Sequence, residues 1–490
     1  MNTDPNSPPV SPGLLARLWH RRGVRTALLL SLVFAACAGV WLWQNAFRRE
    51  PLPVFNTPEE HFKYGALGYG TLGELQGFPL YLWPVLPELF ADKLPGPGGW
   101  AAFGLVTEPG RDHPVGFAKV TVGFPGLVPN CALCHSGTVR TAPDEKPRLV
   151  LGAPAHQLDF DAFNNFVFAC ATDPRWCVSE LLPRIERIAP LSASERLLYR
   201  LLIPGLRFKI GQQRRAFAWQ ATRPVPGCGR TDAFNRFKIN ILGLPDDGTI
   251  GTSDYPPLWN LKARDGLWLH WNGSGNNLHD ELLLSVLPII KGPAEFDPPG
   301  SARLAAFLRD LQPPKFPFPV DAARAAQGQQ IFAQHCADCH AFGAAKTGQV
   351  TPLTELGTDA SFLAMWTPKF VAKLQAINSP PFKFPTIRLT DGYCNVPLDG
   401  VWLRAPYLHN GSVPTLWDLL QPPAKRPATF ATGGDLLDPV RVGFISAPGS
   451  PRKPFPFDTA LPGNRNTGHT YGVELPDADK QALIEFLKTL

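Results

Sequence analysis

The chain has 490 residues, room for about three domains at most at roughly 150 residues each. Hydrophobic residues are 44% and aromatics 11%, which excludes a disordered tail protein. The 54 prolines and 44 glycines favour loop-rich structure over long helices or a doubly wound sheet. A net charge of +6 without a Lys/Arg run argues against a nucleic-acid partner.

Residues 1–25 read as a basic cytoplasmic tail, with Arg17, Arg21, Arg22 and Arg25 crowding its end. Residues 26–43 (TALLLSLVFAACAGVWLW) carry no charge and are near the lower length limit for a membrane span. Basic residues before the run and Trp41 and Trp43 at its far end predict a single-pass anchor with its amino terminus inside. Two alternatives stay open. Ala36-Cys37-Ala38 resembles a signal-peptidase site, and Phe34-Ala35-Ala36-Cys37 is an imperfect lipoprotein box. Apolar character continues past both, where a cleaved signal turns polar. All three readings export the body of the chain. Residues 44–58 follow as a linker.

Four of the nine cysteines fall in two identical patterns, Cys131-Ala132-Leu133-Cys134-His135 and Cys336-Ala337-Asp338-Cys339-His340. Each is the C-x-x-C-H haem-attachment motif, and this composition yields only about 0.004 such strings by chance. Cysteines three apart lie about one helical turn apart on the same side, so both reach the vinyl groups on one edge of a haem. The following histidine then presents a ring nitrogen to iron. A zinc knuckle would need a second Cys/His pair at finger spacing, and neither motif has one. The expectation is two haem c groups, tied by Cys131, Cys134, Cys336 and Cys339, with His135 and His340 as proximal iron ligands. Attachment of this kind occurs outside the bacterial cytoplasm, in keeping with export. Cys170, Cys177, Cys228 and Cys394 suit structural roles in an oxidising compartment. Three pairings are open to them, of which Cys170–Cys177 with Cys228–Cys394 is the simplest.

A first haem domain is expected over residues 59–311. Asn130 caps the short helix of its motif, and Phe160 to Ala171 and Ser194 to Ile203 are its best helix candidates. Residues 312–320 (QPPKFPFPV) form a Pro-rich linker that no helix or central strand can cross. A second, cytochrome c-like haem domain covers 321–490. There Asp321 caps a helix in which Gly328, Phe332 and Cys336 share a face. A closing helix from Pro476 to Leu490 carries Leu483, Ile484, Leu487 and Leu490. The glycine lets these two helices cross closely, as in small class I cytochrome c domains. The fold expected is mainly α and loop-rich, two cytochrome c-like haem domains with long insertions after one transmembrane helix.

Longer strings carry a resemblance. Pro397-Leu398-Asp399-Gly400-Val401-Trp402-Leu403-Arg404-Ala405-Pro406-Tyr407-Leu408-His409-Asn410-Gly411-Ser412 resembles the A-P-Y-x-H-x-G-S segment of bacterial dihaem peroxidases. It is closer still to the rubber-oxygenase (RoxA-like) branch. Residues 438–443, 463–471, 253–260 and 270–273 are similar to that branch too. The resemblance covers most of 55–490 and implies two haems near enough for electrons to pass between them.

The sixth position of each iron decides between electron carriage and oxygen or peroxide chemistry. Beyond Met1 the only methionine is Met365, so at most one haem is His/Met, and Met365 reads better as core filler. For the second haem the candidate is His469, in a Gly/Asn-rich loop where the resemblance implies a distal histidine; His409 is the alternative. For the first haem the candidate is His270. The resemblance puts Trp271 between the haems as a relay, and the position before it is Phe in the rubber oxygenase but His here. An imidazole there could ligate iron or polarise peroxide; packing is the plainer reading. Trp259 and Trp268 read as packing residues, and Arg196, Arg200, Arg207, Arg214 and Arg215 as a solvated basic face.

Together these residues predict an inner-membrane-anchored dihaem cytochrome transferring electrons in the periplasm, with soluble redox proteins as partners. A dihaem peroxidase with a small-molecule oxidant is the alternative, as is an oxygenase acting on an apolar substrate. Whether the chain is an enzyme is left open by its sequence.

Overall fold

The apolar run near the amino terminus forms α1 (Arg22–Ala46), longer at both ends than the 26–43 expected. Its 25 residues span about 37 Å at 1.5 Å each, more than the roughly 30 Å of a hydrocarbon core. Gly23–Ala46 is long and apolar enough for a membrane anchor or a signal sequence. The computed structural model describes residues 22–70, 77–290, 292–445 and 453–490. The tail through residue 21, with Arg17 and Arg21, lies outside the described residues. Met1–Pro51 with Thr121–Phe124 form one unit, and Leu52–Val120 with Pro125–Leu490 another. The second unit holds both haem motifs.

That unit combines helices and short strands with long loops, the loops in keeping with its proline content. Three helices pack against Trp83, Phe90, Trp100 and Phe117 from the preceding segment in its first apolar cluster. Asp159 caps α2 (Phe160–Thr172), accepting the Ala162 amide. The next, α3 (Val178–Ile188), was not foreseen. A reciprocal Ser192/Glu195 capping box starts α4 (Ala193–Ala216). The sequence suggested only 194–203 here, because Pro204 removes a backbone donor and Gly205 weakens a helix. The helix continues because Leu198, Tyr199, Ile203, Leu206 and Ile210 line one face and are buried. Tertiary burial outweighs the local defect. Trp176 ties the cluster across, its Nε1 donating to the Ile203 carbonyl.

A second cluster gathers Phe62, Leu283, Leu304 and Leu308 with Met365, Phe370 and Tyr393, so it draws on both sides of the Pro-rich segment. Met365 is fully buried there. Residues 312–320 form no helix or strand. They pack all the same: Phe316 and Phe318 lie against the third cluster, and Trp402 Nε1 donates to the Pro314 carbonyl.

The third cluster is built on α5 (Ala322–His335) and α6 (Asp477–Leu487). Asp321 caps α5 through the Ala323 and Arg324 amides, and Phe332, Leu483, Ile484 and Leu487 are buried. Gly328 is the point of closest approach. A Cβ there would stand 1.9 Å from the Ala482 carbonyl oxygen and 2.9 Å from Phe486 Cβ, so only glycine lets the backbones meet. This is the crossing the sequence predicts.

None of the nine cysteines is joined in a disulfide, which corrects the simplest pairing of Cys170 with Cys177 and Cys228 with Cys394. Cys394 donates to the Trp268 carbonyl at 3.1 Å, whereas Cys228 Sγ lies beside Gly433. Cys177 faces Ser179 Oγ, and Cys170 is buried in the first cluster. Trp259 is fully buried and donates to the Leu151 carbonyl; Trp268 lies under the Arg388 guanidinium.

Candidate functional site

The first motif sits on a single 3-10 turn, Cys131–Leu133. Asn130 caps it as expected, accepting the Ala132 amide at 3.0 Å while its Nδ2 donates to the Gly65 carbonyl. The His135 amide then closes onto the Cys131 carbonyl, turning the imidazole under the cysteines. Cys134 packs against the first apolar cluster and Cys131 against the second. Burial pushes the Cys131 thiol up to about 11 and the Cys134 thiol up to about 12. A buried, largely apolar lining of this kind suits a thioether better than a reactive thiolate.

His135 donates its Nδ1–H to the Pro256 carbonyl at 2.9 Å. A carbonyl only accepts, so the hydrogen lies on Nδ1 and the lone pair on Nε2. Burial pushes the imidazole down to about 4, which keeps it neutral. A neutral imidazole with Nδ1 fixed to a carbonyl is oriented as metal-bound histidines are.

The second motif repeats the arrangement on different elements. Cys336 ends α5 and the short helix Ala337–His340 follows. His340 donates its Nδ1–H to the Val396 carbonyl at 2.7 Å, and burial again lowers its pKa. Burial raises the Cys336 thiol to about 11. Neither carbonyl partner was legible in the sequence, since each comes from a loop more than 50 residues away.

Facing His340 is His469, its ring centroid 6.2 Å away. Two imidazoles bonded to a shared metal at about 2 Å each place their centroids roughly 6 Å apart. Burial pushes His469 down to about 3, helped by His340. Its buried Nδ1 has no hydrogen-bond partner in the protein. The pair fits an iron between two histidines. The His469 backbone is left-handed, with φ 46°, and Arg426 holds it there. That guanidinium donates to the carbonyls of Asn466, Gly468 and His469, and to those of Leu419 and Gln421. Nothing in the sequence marked Arg426, which lies 43 residues before His469.

His409 is placed differently. Its Nε2 lies 2.9 Å from the Tyr393 hydroxyl, and its ring stacks on Tyr393 at 3.9 Å. Burial pushes it down to about 3. Its carbonyl accepts the Asp254 amide, so the residue braces the strand Ser253–Asp254.

His270 adopts φ 61° and donates from Nε2 to the Glu281 carboxylate. Burial works against its charge, but Glu281 beside it leaves the pKa above the ordinary histidine value. The Phe234 ring meets it edge-on at 5.6 Å. Glu281 went unnoticed in the sequence, one acidic residue among 41. Next to this pair, Trp271 joins the surroundings of both motifs. Its Nε1 donates to the Asp254 carbonyl at 2.9 Å, two residues before the carbonyl that holds His135. Its own carbonyl accepts the Cys394 amide at 2.7 Å, two residues before the carbonyl that holds His340. Trp271 therefore ties together the two backbone segments that orient the motif histidines.

Residues 392–431 match the family model described as RoxA-like, cytochrome c-like. The matched stretch contains the Val396 carbonyl that holds His340, and it supports reading the chain as a haem-binding cytochrome. Two similar proteins are the uncharacterized proteins y4iM and y4iJ of Sinorhizobium fredii. The first is 32% identical over 294 residues, which are 50% of this chain and 66% of that protein's length. The second is 25% identical over 513 residues, 82% of this chain and 83% of the relative.

Proposed function

We propose that the chain is a membrane-anchored, periplasmic c-type cytochrome with two covalent haems, passing electrons between them and on to soluble redox proteins. The observation that carries this reading is the repeated state of the two motif histidines. Both are half-buried, both are held neutral, and both have Nδ1 fixed to a carbonyl so that Nε2 is left for iron. Cys131 and Cys134 would hold one haem and Cys336 and Cys339 the other. A bound haem c supplies a reversible one-electron couple, and closing its sixth position restricts it to that role. His340 and His469 are spaced to close the second iron, and Arg426 keeps the distal loop from yielding that position. Trp271, bonded toward both motifs, is the proposed relay. The helix α1 serves as the anchor, with the haem-bearing unit outside.

One observation favours a second reading, in which the first haem reduces peroxide or activates oxygen. The His270–Glu281 pair is a proton donor and acceptor beside Trp271, and peroxide chemistry uses such a group.

Spectroscopy of the purified holoprotein separates the readings. Electron carriage alone predicts two low-spin ferric haems and no carbon monoxide binding after reduction. Carbon monoxide binding by one haem would replace it with the enzymatic reading, and His270→Phe should then alter that haem's spectrum. His469→Gly should turn one haem high-spin, and His409→Gly should not. An unchanged His469→Gly spectrum overturns the ligand assignment.

A further inference from the structure

The long helix α4 buries one face in the first cluster, and its opposite face is apolar as well. Leu197 is 47% exposed, Leu201 59% and Phe208 61%. With exposed Pro204 they follow one another at intervals of four, three and four residues, which puts them on a single stripe. Single exposed leucines need no explanation, but three large ones along one helix form a patch. The cations are ordered too. Arg196, Arg200, Arg207 and Arg214 are exposed and lie four, seven and seven residues apart, along one edge of the stripe; exposed Arg215 lies at its end. The only acidic residue of the helix, Glu195, is occupied in the capping box. Arg196 also bonds Glu186, and Arg207 bonds the Trp176 carbonyl. Trp219, just beyond the helix, is partly exposed.

We infer that this face of α4 docks on an anionic phospholipid surface, with Leu197, Leu201 and Phe208 entering the acyl boundary and the arginine edge meeting the headgroups. The inference rests on the membrane-anchor reading above. An apolar stripe edged by arginines is the composition of helices that lie in the membrane interface. Arginine side chains run their stems along apolar surface while the charge stays at headgroup level. A soluble acidic protein would satisfy the arginines but leave three large apolar side chains to be covered. A second copy of this chain would set the arginine edges against each other. An acidic bilayer satisfies both features at once, and a chain tethered by α1 meets one at high effective concentration.

Hydroxyl-radical footprinting of the full-length holoprotein in nanodiscs tests this, because it reads side-chain exposure in the wild-type chain. Oxidation at Leu197, Leu201 and Phe208 should fall at least about three-fold in nanodiscs containing phosphatidylglycerol relative to phosphatidylcholine alone. The protection should fade as added salt screens the charges. Arg200→Glu/Arg207→Glu/Arg214→Glu should abolish it. If that variant does not fold, Leu201→Ser/Phe208→Ser should reduce protection of the remaining Leu197. Equal oxidation in both lipids overturns the inference while leaving the anchor standing. Protection that instead rises with protein concentration, or needs an added acidic protein, assigns the face to a second copy or a protein partner and also overturns it. A chain that does not enter nanodiscs refutes the anchor and the docking together.

Discussion

Gly328 tests how the second haem motif is positioned, because the same substitution should have opposite signs at two helical glycines. In a free helix, Gly→Ala stabilises by about 1 kcal/mol. At Gly205, where nothing lies within 4 Å of an added Cβ, that gain should appear. At Gly328 the added carbon would stand 1.9 Å from the Ala482 oxygen, so α5 and α6 must move apart by more than 1 Å. A gap of about 0.5–1 Å forfeits a quarter to a half of a dispersion contact. Phe332, Leu483, Ile484 and Leu487 meet across this crossing, and each fully buried side chain contributes roughly 1.5–3 kcal/mol. Losing about a third of that from four residues costs on the order of 3 kcal/mol, leaving a net loss of about 2 kcal/mol after the helix-propensity gain. Urea unfolding of the holoproteins, followed by far-ultraviolet circular dichroism, measures both. A Gly328→Ala protein as stable as wild type, or a gain of equal size at both glycines, would refute the close-crossing argument.

Replacing both cysteines of either motif with alanine should reduce bound haem from two per chain to one, and replacing all four should remove it, as haem-stained denaturing gels would show. Loss of both haems on removing one pair would contradict two independent sites. Trp271→Phe should leave the resting spectra unchanged, slow electron equilibration between the haems in flash photolysis, and cost about 1–2 kcal/mol from the unpaired Asp254 carbonyl. Unaltered equilibration would remove Trp271 from the relay. Burial pushes the Asp159 carboxyl up to about 6 from 3.8. The folded state therefore binds a proton that the unfolded state releases between these values, and stability falls as pH rises from about 4 to 6. Asp159→Asn keeps the helix cap and removes this loss. It should be more stable than wild type at pH 7 by an amount on the order of 3 kcal/mol, converging towards pH 4. A constant difference across that range would contradict the assignment.

The chemistry-bearing residues were legible because their spacing is local. Two cysteines and a histidine within five positions must share a turn, and the apolar run near the amino terminus needs no partner to declare its length. The Gly328 crossing was legible for a related reason, since a glycine in register with Phe332 and Cys336 has one use on a buried helix face. Helix α4 was underestimated because Pro204 and Gly205 are local signals, and burial of five side chains outweighs them. The carbonyls of Pro256 and Val396, the Arg426 clamp, the Glu281 partner of His270 and the two-sided bonding of Trp271 all join segments distant in the chain. Their meeting is set by packing across the three apolar clusters, which no periodicity records. Sequence alone determined that two sulfur pairs each precede an imidazole. Tertiary structure alone decided which way those imidazoles point, that His469 faces one of them, and that His409 turns to Tyr393 instead, because the Pro256 and Val396 carbonyls, the Arg426 clamp and the Tyr393 hydroxyl that set these directions all come from distant segments.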